Sequence, residues 1–458
     1  MMVPCLIVKN FLRGRFFYGL LVLLILALAL VISLNNLAVY NTWWADDGGA
    51  HLGYIRTIAQ ENRLPSMTEN YLAWHEPIFY YLAAGWTILG QGFGVNHINW
   101  QDAFNILIFY FFLFLVWQLT YVYTARNRWL ALLALLIFSF LFTAVKLAAY
   151  VNNELLVQAM ILLCVLLFYQ LKLASAARII PVFFWSLLLG LAALVKLTAV
   201  VVLLVAIIFW LVRAGRSRKW DYVYYALISL TVVLIVNLPW LAYKQQAFGS
   251  AFSINLFEHE KRQEILTSSG WQYLTKVNFH IFYDDPYWQS PPPAFASTYF
   301  ADTFGDYYNL FNNVDRLNAL PLTEKIKTDN GRFTTEKLKW RQIWVYRLAA
   351  VIMLIWLLGL LGQGFNLVRR KNPDPYAWFL LLLIFGGYAA LVYNNLRYPY
   401  LARGVLKSAF ILFTLPPLVL LANDFWWRIF KNKYLWLIIC VLPPLAYALL
   451  VWPIIMVK

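Results

Sequence analysis

Charge is scarce in this sequence. Only 13% of its 458 residues are Asp, Glu, Lys or Arg, 62% are hydrophobic, and the mean hydropathy is +0.64. A soluble chain of this length cannot hide so much apolar surface, so a water-soluble globular domain is excluded. Cysteine is nearly missing as well. Cys5, Cys164 and Cys440 lie far apart, the last two inside apolar runs, and neither a disulfide framework nor a thiolate metal site follows. There is no internal repeat of the kind that builds a transporter from two related halves. Acids number 21 against 37 Lys and Arg, giving a formal net charge of +16. That excess forms no basic face for nucleic acid, because the cations fall in short clusters between apolar segments.

Long uncharged runs are abundant, and a helix needs roughly 20 apolar residues to cross the hydrocarbon of a bilayer. The runs predict spans over 16–39, 101–124, 129–149, 154–172, 179–195, 198–212, 222–243, 343–367, 376–395, 404–423 and 434–455. The fold class is therefore an all-α polytopic membrane protein with about eleven transmembrane helices. Trp and Tyr gather at the edges of the runs, where amphipathic rings favour the interface. Lys9, Arg13 and Arg15 precede the first run as they would in a secretory signal. No small-x-small cleavage site follows in Asn35–Tyr40, so an uncleaved first helix is expected.

Lys and Arg set the orientation. One set of helix ends carries Lys9/Arg13/Arg15, Arg126/Arg128, Lys172/Arg178, Arg213/Arg216/Arg218/Lys219, Arg369/Arg370/Lys371 and Arg428/Lys431/Lys433; the opposite set carries chiefly Lys196, Arg397 and Arg403. The cation-rich ends are expected in the cytoplasm with the N-terminus, in a plasma (inner) membrane. Two outer connections are too long for turns, 40–100 and 244–342. The first holds amphipathic stretches near 48–62 and 76–91, read as interfacial helices. The second, with Pro291-Pro292-Pro293, disfavours helix there and reads as a cap over the outer face. This divides the chain into 1–243, a transmembrane module with its first outer loop, 244–342, the cap loop, and 343–458, the C-terminal helices.

The residues able to do chemistry fall on the outer side. Asp46-Asp47 follows Trp43-Trp44 and precedes Gly48-Gly49. Adjacent carboxylates beside a bilayer are costly unless solvated, paired or metal-bound. One of them can cap the next helix, or accept a proton from a hydroxyl nucleophile. His51 shares a helical face with the pair if 48–62 is helical. His75 and Glu76 precede Pro77 and an aromatic stretch with Tyr80; Pro77 suits a helix start. Asn152-Asn153-Glu154 opens a later span, where capping by Asn and a first-turn dipole contact from Glu compete with substrate binding. Lys196, between two short apolar runs, needs an anionic partner, either an acid or a lipid phosphate. Arg397 and Arg403 flank Tyr398-Pro399-Tyr400 and could grip phosphate or anchor to headgroups. Acids near the first helix and isolated cations on later ones suit a lipid-phosphate substrate whose sugar leaves from the phosphate.

With Ala45-Asp46-Asp47-Gly48-Gly49-Ala50-His51 and His75-Glu76-Pro77-Ile78-Phe79-Tyr80-Tyr81, the chain resembles the GT-C superfamily of polyprenyl-phosphate-dependent glycosyltransferases. It is most similar to the bacterial branch related to protein O-mannosyltransferases and aminoarabinose transferases. Asn152-Asn153-Glu154, Gly190–Thr198 and Leu238-Pro239-Trp240-Leu241-Ala242-Tyr243 also match that family's habits. The likeness covers 16–250 and continues beyond only as topology. It implies a GT-C-like bundle and an inverting transfer from a polyprenyl-phosphate-sugar donor to an extracytoplasmic glycan, lipid or protein. It further implies Asp46 as general base, Asp47 assisting or holding a divalent metal, and Lys196, with Arg397 and Arg403, at the donor phosphate. His51, His75, Glu76, Tyr80, Asn153 and Glu154 would bind substrate. No other cofactor is implied. Glu76 replaces the first proline of the family's usual pair, and no large outer domain follows the last helix as in some relatives.

Two other classes compete, beside a non-enzymatic assembly or scaffolding membrane protein, which the acidic pair and Lys196 together disfavour. A transporter or flippase of a lipid-linked sugar would line a central cavity with charge, whereas these charges gather at the outer boundary. An extracytoplasmic ligase with a diphosphate-linked polymer donor would use Arg and His of a large outer loop, and 244–342 offers His259, His280 and Arg262. Asp284-Asp285 and Glu258-His259-Glu260 match no specific metal spacing. The expected topology is checked by cysteine labelling. A thiol introduced by Ser66→Cys should react with an impermeant maleimide in intact cells and one from Ser175→Cys should not; the reverse pattern overturns the orientation.

Overall fold

The computed structural model describes residues 14–39, 47–95, 98–174, 178–251, 274–287, 294–308, 326–327, 333–370, 373–397, 408–430 and 432–456. The architecture is helical, in the order α1 (Arg15–Val39), α2 (Gly48–Glu61), α3 (Ile78–Gly92), α4 (Ile98–Tyr123), α5 (Arg128–Phe140), α6 (Phe142–Ala148), α7 (Glu154–Gln170) and α8 (Ile179–Ala193). There follow α9 (Val200–Ser217), α10 (Asp221–Phe248), α11 (Phe295–Phe304), α12 (Glu336–Arg369), α13 (Pro375–Arg397), α14 (Leu415–Ile429), α15 (Lys433–Trp436) and α16 (Leu442–Ile455). Among the described residues the only strands are Ile326–Lys327 and Phe333–Thr334, an antiparallel pair two residues long.

Apolar helices of this kind fold in lipid because every backbone amide is satisfied within the helix. Exposed Leu, Ile, Phe and Val cover the outside of the bundle, as on α1, where Phe16, Leu23 and Val31 face out. The chain is thus a multi-pass membrane protein. Of the eleven expected spans, eight fall on helices that are long and apolar enough to cross a membrane among the described residues, nine if the bent pair α5–α6 counts as one. The other two fall on α7 and α8, apolar helices of 17 and 15 residues, at or below the short end of the roughly 17–25 that a crossing takes. Hydropathy marks an apolar stretch; it cannot tell where the helix stops, and here polar junctions stop it early.

Those junctions shape the site. α5 and α6 meet at an angle of 60° because Leu141 is extended. The amide of Phe142, which loses its helical partner there, donates to the Tyr447 hydroxyl at 3.3 Å, as an opened helix inside a bundle requires. α8 ends at Ala193, and Lys196, whose backbone is extended, leads into a single 3-10 turn, Leu197–Ala199. α8 and α10 run close together. A Cβ on Gly190 would stand 3.0 Å from Val236, so that position needs glycine for approach rather than for φ.

In the 244–342 connection, α11 is not on the surface. Its residues from Thr298 to Phe304 are buried, apart from a half-buried Phe300, against α6, α12 and the 408–414 segment. Pro291-Pro292-Pro293 lies outside the described residues. Asp302 ties this helix in: it is ion-paired to Lys146 and accepts from the Ser408 amide at 2.7 Å and hydroxyl at 2.8 Å. The Thr143 hydroxyl adds a bond to the Asp302 carbonyl at 2.7 Å. Asp302→Ala should lower stability by about 3–5 kcal/mol, since it strands a buried ammonium. Asp302→Asn combined with Lys146→Met should lose much less. Equilibrium unfolding in mixed micelles reads both; equal losses would mean that charge pairing is not what holds α11.

Candidate active site

The site is assembled at one end of the bundle by the 62–77 loop. Asn62, in the left-handed region at φ 51°, closes α2 with its amide on the Ile58 carbonyl. The loop then folds back on α2: Asn70 Nδ2 donates to the Ala50 carbonyl at 2.7 Å. Arg63 grips Glu69 through two bonds of 2.8 and 2.7 Å, and holds that carboxyl down at about 2. Both side chains are exposed, so the pair contributes little beyond loop shape.

The expected site residues meet here. Asp47 occupies the N-cap position of α2 but makes no side-chain cap bond; its Oδ1 accepts from the Tyr71 hydroxyl at 2.8 Å. One turn on, His51 is buried with Nδ1 2.8 Å from the Tyr80 hydroxyl. Tyr80 stacks on Tyr54 with ring centres 3.7 Å apart, and its hydroxyl lies 3.4 Å from His75 Nδ1. Asn153 Nδ2 reaches the same nitrogen at 3.2 Å. As Asn153 Nδ2 can only donate, His75 Nδ1 is an acceptor there and its proton sits on Nε2. Burial pushes the His75 imidazole well below its usual 6.5; Lys196 and His51 push the same way and Asp47 opposes them.

Asn153 is free for His75 because Asn152 does the capping. Asn152 Oδ1 accepts from the amides of Glu154 and Leu155 at 3.1 and 3.3 Å. Glu154 is ion-paired to Lys196, whose Nζ also stands 4.8 Å over the Phe410 ring. The anionic partner that Lys196 needed is thus an acid of the chain. Glu76, 3% exposed, lies on the other side of the same junction, 3.7 Å from Lys244 Nζ. Burial raises its carboxyl, with Lys244 pulling the other way.

Seven expected residues, His51, His75, Glu76, Tyr80, Asn153, Glu154 and Lys196, therefore converge, with Asp47 at the margin. Asp46 and Arg403 lie outside the described residues, and Arg397 is placed only as the last residue of α13. Among the described residues no three His, Cys, Asp or Glu side chains gather as a metal site would need. The sequence reading missed Tyr54, Tyr71 and Lys244. Lys244 had a signal, a lysine directly after the Leu238–Tyr243 motif; the two tyrosines had none among 29.

No protein-family model and no curated protein matches this sequence. Similar solved structures include ArnT from Cupriavidus metallidurans bound to undecaprenyl phosphate, at TM-score 0.39 and 14% identity over 89% of this chain and 78% of that one. ArnT in the apo state gives 0.39 and 14% over 88% and 77%. Likeness of that size assigns no residue of the site.

An imidazole kept neutral when folded, yet free to protonate near 6.5 when unfolded, favours unfolding as pH drops below that value. The thermal midpoint in detergent should therefore fall from about pH 7.5 to about 5.5, and less steeply in His75→Gln. Parallel falls in the two proteins would remove His75 as the titrating group.

Proposed function

We propose that this protein is a membrane glycosyltransferase of GT-C type. It moves a sugar from a polyprenyl-phosphate donor to an acceptor hydroxyl or amine on the extracytoplasmic face. The observation that carries the reading is the convergence of His51, Tyr80, His75, Asn153, Glu154 and Lys196 around one junction, beside the Asp47 loop start. Buried polar side chains at the end of a lipid-embedded bundle are costly without a function, and this set mixes hydrogen-bonding neutrals with a cation. The acidic pair and its motif supply the base, and the positive-inside pattern supplies the side of the membrane.

In this mechanism the acceptor oxygen or nitrogen attacks the anomeric carbon from the face opposite the leaving group. The bond from that carbon to the phosphate oxygen breaks, and polyprenyl phosphate leaves with the electron pair. Asp46 takes the acceptor's proton as the new bond forms. Lys196 offsets the charge gathering on the departing phosphate, with Arg397 and Arg403 as further phosphate contacts. Asp47, oriented by Tyr71, holds the acidic pair in place, while His51, His75, Glu76, Tyr80, Asn153 and Glu154 orient sugar and acceptor through hydrogen bonds. A divalent ion, if the reaction uses one, would be held by Asp47.

The test begins by identifying the glycan or lipid lost when the protein is removed from its cell. The wild-type chain should restore it. Asp46→Asn should lower transfer by about 100-fold or more with normal membrane insertion, the scale of a lost general base. Lys196→Ala should raise the KM for the lipid donor. Full transfer by Asp46→Asn overturns the assignment, and unchanged donor kinetics would leave Lys196 a structural residue.

A further inference from the structure

Lys244 is a buried charged residue at this end of the bundle that the mechanism above does not use. It lies in the last turns of α10 and is 0% exposed. Its Nζ makes no hydrogen bond of normal length and faces Glu76 Oε1 at 3.7 Å, with the Trp74 ring 5.8 Å away. A buried ammonium so weakly partnered contributes little to stability compared with an apolar side chain of its size. Something other than packing calls for the charge.

Its partner shows what the charge does. Glu76 directly follows His75, and two residues on, the Ile78 amide donates to the Leu194 carbonyl at 3.2 Å, at the start of the junction that bears Lys196. Glu76, facing Lys244, thus sits where the loop bearing His75, that junction and the end of α10 come together. Without a cation opposite, a carboxylate buried there either picks up a proton or leaves for water, taking the loop with it. Burial already raises the Glu76 carboxyl, and Lys244 foremost pulls it back toward the ionised form.

We propose that Lys244 is a positioning residue: through Glu76 it locks the His75 loop onto the Lys196 junction, so that imidazole and ammonium meet the same ligand. The lock is a matter of geometry; its benefit to an anionic ligand rests on the reading of Lys196 as a phosphate contact.

The full-length chain in detergent, with Lys244→Met, Glu76→Gln and the double variant, tests this. The first readout is hydrogen exchange of the Ile78 amide, which bonds the Leu194 carbonyl, and the second is binding of farnesyl phosphate, both at about pH 8 where carboxylates are ionised. Lys244→Met should speed the exchange and weaken the binding, each by about tenfold or more, with Glu76→Gln close behind. The double variant, with both charges gone, should return to within about threefold of wild type. At about pH 6 the loss in Lys244→Met should shrink, because a protonated Glu76 needs no cation; a purely structural lysine would show no such recovery. Exchange in Lys244→Met equal to wild type, or a double variant no better than the single, overturns the proposal. If wild type binds no farnesyl phosphate, the phosphate reading of Lys196 fails, and the exchange results decide the positioning role by themselves.

Discussion

A lysine ammonium inside a lipid-embedded bundle needs a counter-charge, because leaving it bare in a low dielectric is far more costly than any packing around it can offset. Three lysines at helix ends meet this demand in the same way. Lys146 is matched by Asp302, Lys196 by Glu154 and Lys244 by Glu76. In each case lysine and acid come from different helices or loops, so neutralising the charge also decides which segments touch. α11 is seated by the first pair. The second sets the α8 junction against the start of α7, and the third sets the 62–77 loop against the end of α10.

The apolar part of this arrangement was legible in the sequence because hydropathy reports the solvent, and the solvent is lipid. Helix positions, the two short stretches over 48–62 and 76–91 and the clustering of candidate residues all follow from runs, interruptions and motif order. Pairing did not follow. Nothing in Phe295–Phe304, with its Ser, Thr, Tyr and Asp, marks it as a buried helix. It is buried because Asp302 is satisfied by Lys146 and Ser408, partners distant in sequence. Lys244 was passed over for the same reason: its meaning lies in Glu76, on another segment. The apolar runs marked α7 and α8 but not their ends, because composition carries no information about where a polar junction ends a helix.

Capping was also decided by tertiary context. Asn153 and Asp47 both stand at helix starts, and both belong to residue types that cap well. Neither does so. Asn152 takes over the amides of α7, which releases Asn153 to His75, and Asp47 turns to Tyr71 instead. Local propensity marked an asparagine cap for α7 and Asn152 provides it, while Asp47 takes a tertiary partner, as happens where a site overrides the local rule.

Charge balance then constrains what can enter. Around the junction after α8, Lys196 and Lys244 are matched by Glu154 and Glu76, and His75 is neutral between them. An anion that reaches Lys196 must therefore exchange with Glu154 rather than fill a vacant positive site. Glu154 Oε2 is buried without a hydrogen bond, and the nearest amides of α7 are already taken by Asn152. The carboxylate consequently has little to hold it in place once its lysine is shared. On the proposed function, discrimination would follow from this: a weak anion cannot displace a preformed, partly dehydrated ion pair, whereas a phosphate with several acceptor oxygens can bond a lysine and neighbouring donors together. In that reading the neutral trio of His51, Tyr80 and His75 would supply those neighbours without adding charge, which would keep the exchange electrically balanced and leave selectivity to geometry.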